Sequence, residues 1–189
     1  MIIIVVVGGI IYSMTAGVNN NAVDKQEDVK AAWANVESAY QRRSDLIPNL
    51  VSTVKGAADF EKSTLTDVIE ARAKATSVNV DLDDLNPETV QKFQKAQSGL
   101  SSALSRLMVS VERYPDLKAT QNFQNLQSQL EGTENRINVA RNRYNSAVRD
   151  YNKYIRHFPQ NMVAGMFGFE KMESFEADKG AETAPDVQF

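Results

Sequence analysis

The chain has 189 residues and a formal net charge of −3, with a sequence pI near 5.3. A nucleic-acid-binding protein would show a basic face, which this charge balance argues against. The absence of cysteine excludes disulfides, thiolate metal sites and cysteine nucleophiles. This length suits one domain with a short additional segment.

An uncharged apolar run occupies residues 1–18, and the first charged side chain is Asp24. Eighteen helical residues extend about 27 Å, close to the ~30 Å hydrocarbon core of a bilayer. We therefore predict a transmembrane anchor at residues 1–18 and a juxtamembrane segment at 19–28. A secretory signal peptide is one alternative, but no Lys or Arg precedes the run and residues 13–16 make a poor cleavage site. A buried core helix is the other.

Small residues recur every four positions within this run, at Gly9, Ser13 and Gly17. Such spacing places them on one helix face and allows close approach of a second membrane helix. We take this face as a candidate for self-association. The flank at residues 24–30 mixes both signs of charge, so the positive-inside rule assigns no orientation.

Residues 29–158 carry apolar side chains at alternating spacings of four and three, which is typical of coiled coils and helical bundles. The first stripe runs from Val29 to Ile69, and Pro48 within it predicts a kink or a break near Arg43–Pro48. Gly56 is a second weak point, and residues 77–85 are expected to form a loop.

Asn86-Pro87 is a helix start, with Asn as N-cap and Pro in the first turn. The second long helix ends before Tyr114-Pro115. The third begins near Leu117, stops at Pro159, and buries a seam that includes Ala147, Tyr154 and Phe158. The prediction is all-α: an N-terminal transmembrane helix continuing into an elongated antiparallel bundle of three to four long helices.

An unusual polar string lies at residues 41–50 and contains Arg42, Arg43, Asp45 and Pro48. Arg43 falls on the apolar seam, where an unpaired charge would be costly. Candidate counter-charges for Arg43 are Asp45, Glu112 and Glu134. One interpretation is a buried ion pair that sets helix register, and the other is a partner site at the kink.

The segment 159–189 is predicted to be an irregular tail. It contains a cluster of soft apolar side chains, Met162, Met166, Phe167 and Phe169, with Phe175 and Phe189 further on. Such side chains suit adaptable contacts. They either cover one end of the bundle, because exposed apolar patches are rare, or contact a membrane or partner subunit.

No residue set predicts a reaction, a metal site or a cofactor. His157 stands alone, with no nucleophile or carboxylate beside it in sequence, and a position at a helix C-terminus explains it better. Asp81, Asp83 and Asp84 resemble the start of a calcium loop but lack its later Gly and Glu. No phosphate-binding glycine motif is present. The chain is not expected to be an enzyme.

Several strings together resemble the LemA family, across nearly the whole chain from Val23: Ala32-Trp33, Tyr40 to Leu50, Val54-Lys-Gly56, Glu70 to Ala73, Glu112 to Leu117, Gln129 to Ile137, Ala140 to Asn145, Tyr151-Asn152, Phe158-Pro159 and Phe167-Gly-Phe169. The resemblance implies a bacterial single-pass inner-membrane protein with an antiparallel bundle on the cytoplasmic side. It implies no reaction. Some relatives are associated with internal-membrane organelles, which suggests membrane organisation.

Two functional hypotheses follow. The first is a membrane-anchored structural or scaffolding protein that forms homo-oligomers in the lipid bilayer and organises or remodels membrane. The second is a membrane-tethered binding module that presents residues 42–48 to a protein partner. Neither involves nucleic acid or a cofactor.

Overall fold

The computed structural model describes residues 1–56, 60–80 and 85–176, without the side chains of residues 10 and 11. Within these ranges the chain forms helices and no strand, which confirms the all-α class. The helices are α1 (Ile2–Lys55), α2 (Lys62–Ser77), α3 (Pro87–Val111), α4 (Pro115–Lys118), α5 (Gln121–Arg156) and α6 (Gln160–Met166). The candidate calcium-loop residues Asp81, Asp83 and Asp84, and the terminal Phe189, lie outside the described ranges.

Helix α1 runs without interruption from Ile2 to Lys55, so it joins the apolar run to the bundle. An 18-residue stretch near its N-terminus has a mean hydropathy of 2.0, and none of that stretch is buried. By length and composition, α1 is the one helix among the described residues that could cross a membrane. Because the stretch is unburied, it is not a core helix of this bundle.

Of the two outcomes predicted near Pro48, a kink or a break, the structure excludes the break. Helix α1 passes through Pro48 and ends at Lys55, and its C-cap is Gly56, the second predicted weak point. Helix α2 then carries the later part of the stripe. Ile69, assigned to the stripe, is exposed because only Leu65, Val68 and Ala75 face the core from α2.

Helix α3 begins as predicted, because the Asn86 side chain accepts a hydrogen bond from Thr89 N at 2.9 Å and Pro87 opens the first turn. Helices α2 and α3 are antiparallel neighbours. Gln97 Nε2 donates to the carbonyl of Ala75, and Arg106 of α3 faces Asp67 of α2. Residue numbers therefore rise along one helix as they fall along the other.

The predicted start of the third long helix near Leu117 is wrong. Residues 115–118 form the separate one-turn helix α4, and the chain turns at Ala119. Thr120 then caps α5 by accepting a hydrogen bond from Phe123 N. A threonine at the N-cap satisfies one of the free N–H groups in the first turn of a helix. Thr120 therefore favours the start of a new helix at Gln121.

The seam of α5 also drifts from the prediction toward its C-terminus. Val148 and Ile155 are buried, whereas Ala147 and Tyr154 are only half-buried and Phe158 is exposed. The prediction kept a strict heptad period, but a straight helix has about 3.6 residues per turn and drifts from a 3.5-residue repeat. The buried face therefore moves by one residue.

Two apolar clusters fill the bundle, one nearer the apolar end of α1 and one farther away. The anchor-side cluster contains Ala22, Val29, Trp33, Val36, Tyr40, Val80, Leu85, Val90, Phe93, Ile137, Ala140, Tyr144, Val148, Tyr151, Ile155, Ala164 and Phe175. The distal cluster contains Ile47, Leu50, Val54, Phe60, Leu65, Val68, Ala75, Leu100, Ala103, Leu104, Leu107, Val111, Leu117, Phe123, Leu126 and Leu130. Early α1 thus meets late α5, so these two helices are antiparallel.

Candidate functional site

Arg43 lies between the two clusters and is only 2% exposed. Its Nη1 donates to Ser101 Oγ at 2.8 Å and to Glu134 Oε2 at 3.2 Å. Its Nη2 donates to Gln97 Oε1 at 2.9 Å and to the Gln97 carbonyl at 3.3 Å. The Arg43 guanidinium thus joins α1 to α3 and α5. Of the three carboxylates predicted as possible counter-charges, Glu134 is the one that pairs with Arg43.

We call Arg43, Ser44, Gln97, Ser101, Thr133 and Glu134 the polar layer. Arg43, Ser44, Gln97 and Thr133 are buried polar residues, and on each long helix they lie between the two clusters. The Arg43 guanidinium also lies 4.9 Å from the Tyr40 ring centroid. A buried charge stripped of its partners costs several kcal/mol, so this layer favours one axial register of the helices.

Pro48 explains the hydrogen bond between Arg72 of α2 and the backbone of Ser44 in α1. Proline has no N–H, so it leaves the carbonyl of Ser44 without its helical donor. Arg72 Nε of α2 donates to that carbonyl at 2.9 Å. A bond from the neighbouring helix thus replaces the lost one, which accounts for the continuity of α1 and ties α2 against it.

The other two residues of the predicted kink site face outward. Arg42 is exposed, and Asp45 accepts a hydrogen bond from Gln41 Nε2 at 2.8 Å. Both line a groove of about 640 Å³ between α1 and α5, together with Arg136 and Arg143. The structure therefore separates the predicted string into a buried half, Arg43, and an exposed half.

The C-terminal segment is bound to α5 by paired side chains. Asn145 exchanges two hydrogen bonds with the backbone of Phe175, at 2.8 and 3.1 Å. Asn152 does the same with Met172, at 2.8 and 3.0 Å. The C-terminal segment here is irregular, so its backbone N–H and C=O groups have no partners in a helix or sheet. Each asparagine side chain supplies the donor and the acceptor that one of its residues needs.

Two tyrosines one heptad apart reinforce this attachment. Tyr144 donates to the carbonyl of Glu173 and Tyr151 to that of Glu170. Burial raises the pKa of both hydroxyls, and the nearby charges of Glu173 and Glu170 raise them further. Both groups therefore stay protonated and act as donors at physiological pH.

The predicted tail residues divide into two groups. Phe169 packs against the anchor-side cluster, and Phe175 stacks on Trp33 with ring centroids 5.6 Å apart. Met162, Met166 and Phe167 stay exposed on and just after α6. The segment after Pro159 is also not irregular throughout, because α6 opens it. Covering the bundle end thus explains only part of this cluster.

Gly9, Ser13 and Gly17 are all exposed in the single chain. A Cβ atom added at Gly9 or Gly17 would meet no atom within 4 Å. Nothing within one chain therefore requires glycine at these positions. His157 is the exposed C-cap of α5.

The sequence analysis did not predict that Tyr144, Asn145, Tyr151 and Asn152 attach the C-terminal segment. It also did not predict that Arg72 donates to the carbonyl left free by Pro48. A signal existed for the first group, because Tyr144-Asn145 and Tyr151-Asn152 repeat at a spacing of seven. Arg72 gave no signal, since an arginine beside a seam is ordinary in sequence. Within residues 1–56, 60–80 and 85–176, no group of three or more His, Asp and Glu side chains is placed to hold a metal ion.

These features define a class: an all-helical bundle whose first helix extends into a candidate membrane span. The LemA family model matches residues 32–189. The chain belongs to the LemA family, which confirms the resemblance found in the sequence.

Curated relatives agree with this assignment. The chain is 27% identical over 181 residues to magnetosome protein MamQ 2 of Paramagnetospirillum magneticum, covering 87% of this chain and 66% of that protein. It is 24% identical over 171 residues to protein LemA of Metamycoplasma hominis, covering 90% and 74%. It is 26% identical over 183 residues to magnetosome protein MamQ of Magnetospirillum gryphiswaldense, covering 87% and 66%. The chain thus spans just under two thirds of the magnetosome relatives. None of these names denotes an enzyme.

Proposed function

We propose that this protein is a membrane-anchored structural or scaffolding protein that associates with copies of itself and helps to organise or remodel membrane. The continuity of α1 carries the proposal. This helix of 54 residues, about 80 Å long at ~1.5 Å per residue, is both the candidate span and a main element of the bundle. No flexible linker separates the two, so the orientation of the anchor determines that of the bundle.

The location we propose is the bacterial inner membrane, with the bundle on the cytoplasmic side. The family resemblance supports both points. The relatives named magnetosome proteins support a role in membrane organisation. Protease treatment of spheroplasts tests the orientation, because a cytoplasmic bundle resists protease until the cells are lysed.

Attachment to membrane is tested by charging the apolar run. An aspartate is unfavourable by about 2.5–3.5 kcal/mol at the centre of a spanning helix and by less toward its ends. Val5 and Val6 lie in the first third of the predicted anchor, so two aspartates are combined, and Val5→Asp with Val6→Asp should remove the chain from floating lipid vesicles. Val109→Asp with Val139→Asp is the matched control, because both valines are exposed on the bundle. An unchanged vesicle-bound fraction in the first variant would contradict the anchor.

Self-association is assigned to the face of Gly9, Ser13 and Gly17. Because the space beside Gly9 is open within one chain, Gly9→Leu does not disturb the monomer and can clash only with a second helix. Gly8→Leu is the control, since its site is equally open but on a different face. The mass of the detergent-extracted protein should fall toward the monomer in Gly9→Leu alone. A parent protein that is strictly monomeric at micromolar concentration would contradict scaffolding.

A membrane-tethered binding module is the second candidate. The groove lined by Arg42, Arg136 and Arg143 supports it, since three arginines would attract an acidic protein surface. A bound protein should be lost on Arg42→Glu and kept on Arg106→Glu, an exposed arginine near the distal cluster. Equal binding by both variants would contradict a site in this groove.

A further inference from the structure

Four large apolar side chains are exposed together around α6. Phe158 is 79%, Met162 64%, Met166 80% and Phe167 57% exposed. Met162 and Met166 are four residues apart and share one face of α6, whereas Ala164 on another face is buried in the anchor-side cluster. Four large exposed apolar side chains this close together in sequence indicate a contact site on a soluble domain.

This surface lies at the end of the bundle next to the candidate span. Tyr154 near the end of α5 donates to the carbonyl of Val18, at 3.3 Å, and Lys25 Nζ lies 5.8 Å from its ring centroid. Val18 is the last residue of the predicted anchor. Phe158 lies two residues beyond the end of α5, which is the end that contains Tyr154, so the apolar surface is close to the level at which α1 would leave the bilayer.

Basic side chains border the apolar surface. A groove of about 720 Å³ between α5 and the C-terminal segment is lined by Arg149, Lys153, Arg156 and Lys171, together with His157, which adjoins Phe158. None of the four Lys and Arg side chains forms an ion pair within the described ranges. The acidic side chains nearest to these cations in sequence are Asp150, Glu170 and Glu173, and none of them lines the groove. Helix α1 also carries Asp24, Glu27 and Asp28 at this end of the bundle, and these do not line the groove either.

We propose that this end of the bundle, formed by Phe158, Met162, Met166 and Phe167 with Lys153, Arg156 and Lys171, docks on the surface of an anionic bilayer. The apolar side chains enter the interface, and the cations contact the phosphates of anionic lipids. Charge complementarity and continuity with the candidate span select this occupant. The inference rests on the proposed membrane attachment and adds a second contact beside the anchor.

The absence of cysteine among the 189 residues allows a direct test in this chain. Met166→Cys is labelled with an environment-sensitive fluorophore and reconstituted in vesicles that contain phosphatidylglycerol and a lipid-borne quencher. Val109→Cys, 71% exposed and borne on α3 beside the distal cluster, reports the far end. Val5→Cys reports whether the anchor itself is inserted.

We expect quenching at positions 5 and 166 and none at position 109. Quenching at 5 without quenching at 166 overturns the docking and leaves the anchor intact. No quenching at 5 overturns the proposed membrane attachment, and the docking with it. A concentration-dependent emission shift at 166 without lipid quenching identifies a second copy of the chain as the occupant and also overturns the proposal.

Charge is tested separately. Juxtamembrane cations contribute about 1 kcal/mol each near an anionic surface, which is about a fivefold change in docking per cation. Lys153→Gln with Arg156→Gln should therefore weaken quenching at 166 strongly, whereas Lys55→Gln with Lys62→Gln at the far end should not. The effect of Lys153→Gln with Arg156→Gln should vanish in vesicles of phosphatidylcholine alone. Equal quenching at 166 in all of these samples would overturn the role of anionic lipid.

Discussion

The two apolar clusters differ in the side chains that build them. The anchor-side cluster holds six aromatic residues, among them Trp33, which contacts the rings of Phe93, Tyr144 and Phe175. The distal cluster is mainly Leu, Val and Ile, with Phe60 and Phe123 as its aromatics. Aromatic pairs add about 0.5–1.5 kcal/mol beyond their buried area and depend on ring geometry. The anchor-side half is therefore more specific in its packing.

The difference in aromatic content follows from the segments that each half of the bundle packs against. The distal half packs helix against helix, for which aliphatic side chains suffice. The anchor-side half also holds the irregular segment around residues 169–176, whose backbone needs hydrogen-bond partners as well as apolar contacts. Asn145, Asn152, Tyr144 and Tyr151 supply them. The polar layer separates the two halves.

Trp33→Ala should give the largest effect. Replacing a buried Trp by Ala lowers the free energy of unfolding by about 3–5 kcal/mol, and here it also removes the ring on which Phe175 stacks. Residues 170–176 should then gain fast amide hydrogen exchange. Leu107→Ala is the distal comparison: about 2–5 kcal/mol is lost, with the tail still protected. Equal deprotection of the tail in both variants would contradict the division into halves.

Arg43→Ala tests the layer between the halves. It leaves Gln97 and Ser101 without their guanidinium partner, and we expect a loss on the order of 3 kcal/mol in the free energy of unfolding. Arg42→Ala is the control, because an exposed neighbour should change stability by less than about 0.5 kcal/mol. Urea denaturation measures both. Two variants of similar stability would show that the layer contributes little.

Asn152→Ala should have a smaller and more local effect. It removes both hydrogen bonds to Met172, and leaving these buried groups unpaired costs about 1–3 kcal/mol. Limited proteolysis should cut near residue 172 faster, while amide hydrogen exchange in the distal cluster changes little. Asn142→Ala, at an exposed position of α5, should leave the cleavage rate unchanged. Slow cleavage in Asn152→Ala would contradict the assigned role.

The smallest effect concerns Glu37, one turn from Trp33. Burial raises the pKa of the Glu37 carboxyl. The nearby indole N–H of Trp33 lowers this pKa, but by less than burial raises it. The folded chain thus keeps this proton to higher pH than the unfolded chain, so the stabilisation is present in acid and is lost as pH rises through the folded-state pKa.

Glu37→Gln should therefore be slightly more stable than the parent at neutral pH, by less than about 1 kcal/mol, and this difference should disappear below about pH 4. Thermal melts across this pH range measure it. A variant that is less stable than the parent at pH 7 would contradict the sign.

Much of the fold followed from local signals in the sequence. Asn86-Pro87 predicted a helix start through cap chemistry, and the alternation of apolar residues predicted most of the buried face. The failures have physical causes. Pro48 predicts a kink or a break in α1, but the helix is unbroken. Arg72, which is distant in sequence, donates to the Ser44 carbonyl that Pro48 leaves without its helical donor. The late seam of α5 shifted because a strict heptad repeat ignores helical drift.

The candidate site was less predictable because it depends on three-dimensional context. The sequence singled out Arg43 as a charge on an apolar stripe, and it could name Glu134 only as one of three counter-charges. It could not separate Phe169 and Phe175, which pack inward, from Met162, Met166 and Phe167, which do not. Only the antiparallel pairing of α1 with α5 brings the α6 surface beside the candidate span.

The proposed function requires α1 to be one rigid helix from the membrane into the bundle. Its most direct test is a spin-label distance between Met14→Cys and Gln41→Cys in the protein reconstituted in a bilayer. Both positions are exposed, and 27 helical residues separate them, which corresponds to about 40 Å at ~1.5 Å per residue. We predict a narrow distribution at that distance. A broad or much shorter distribution would mean that anchor and bundle move independently, and would contradict the account.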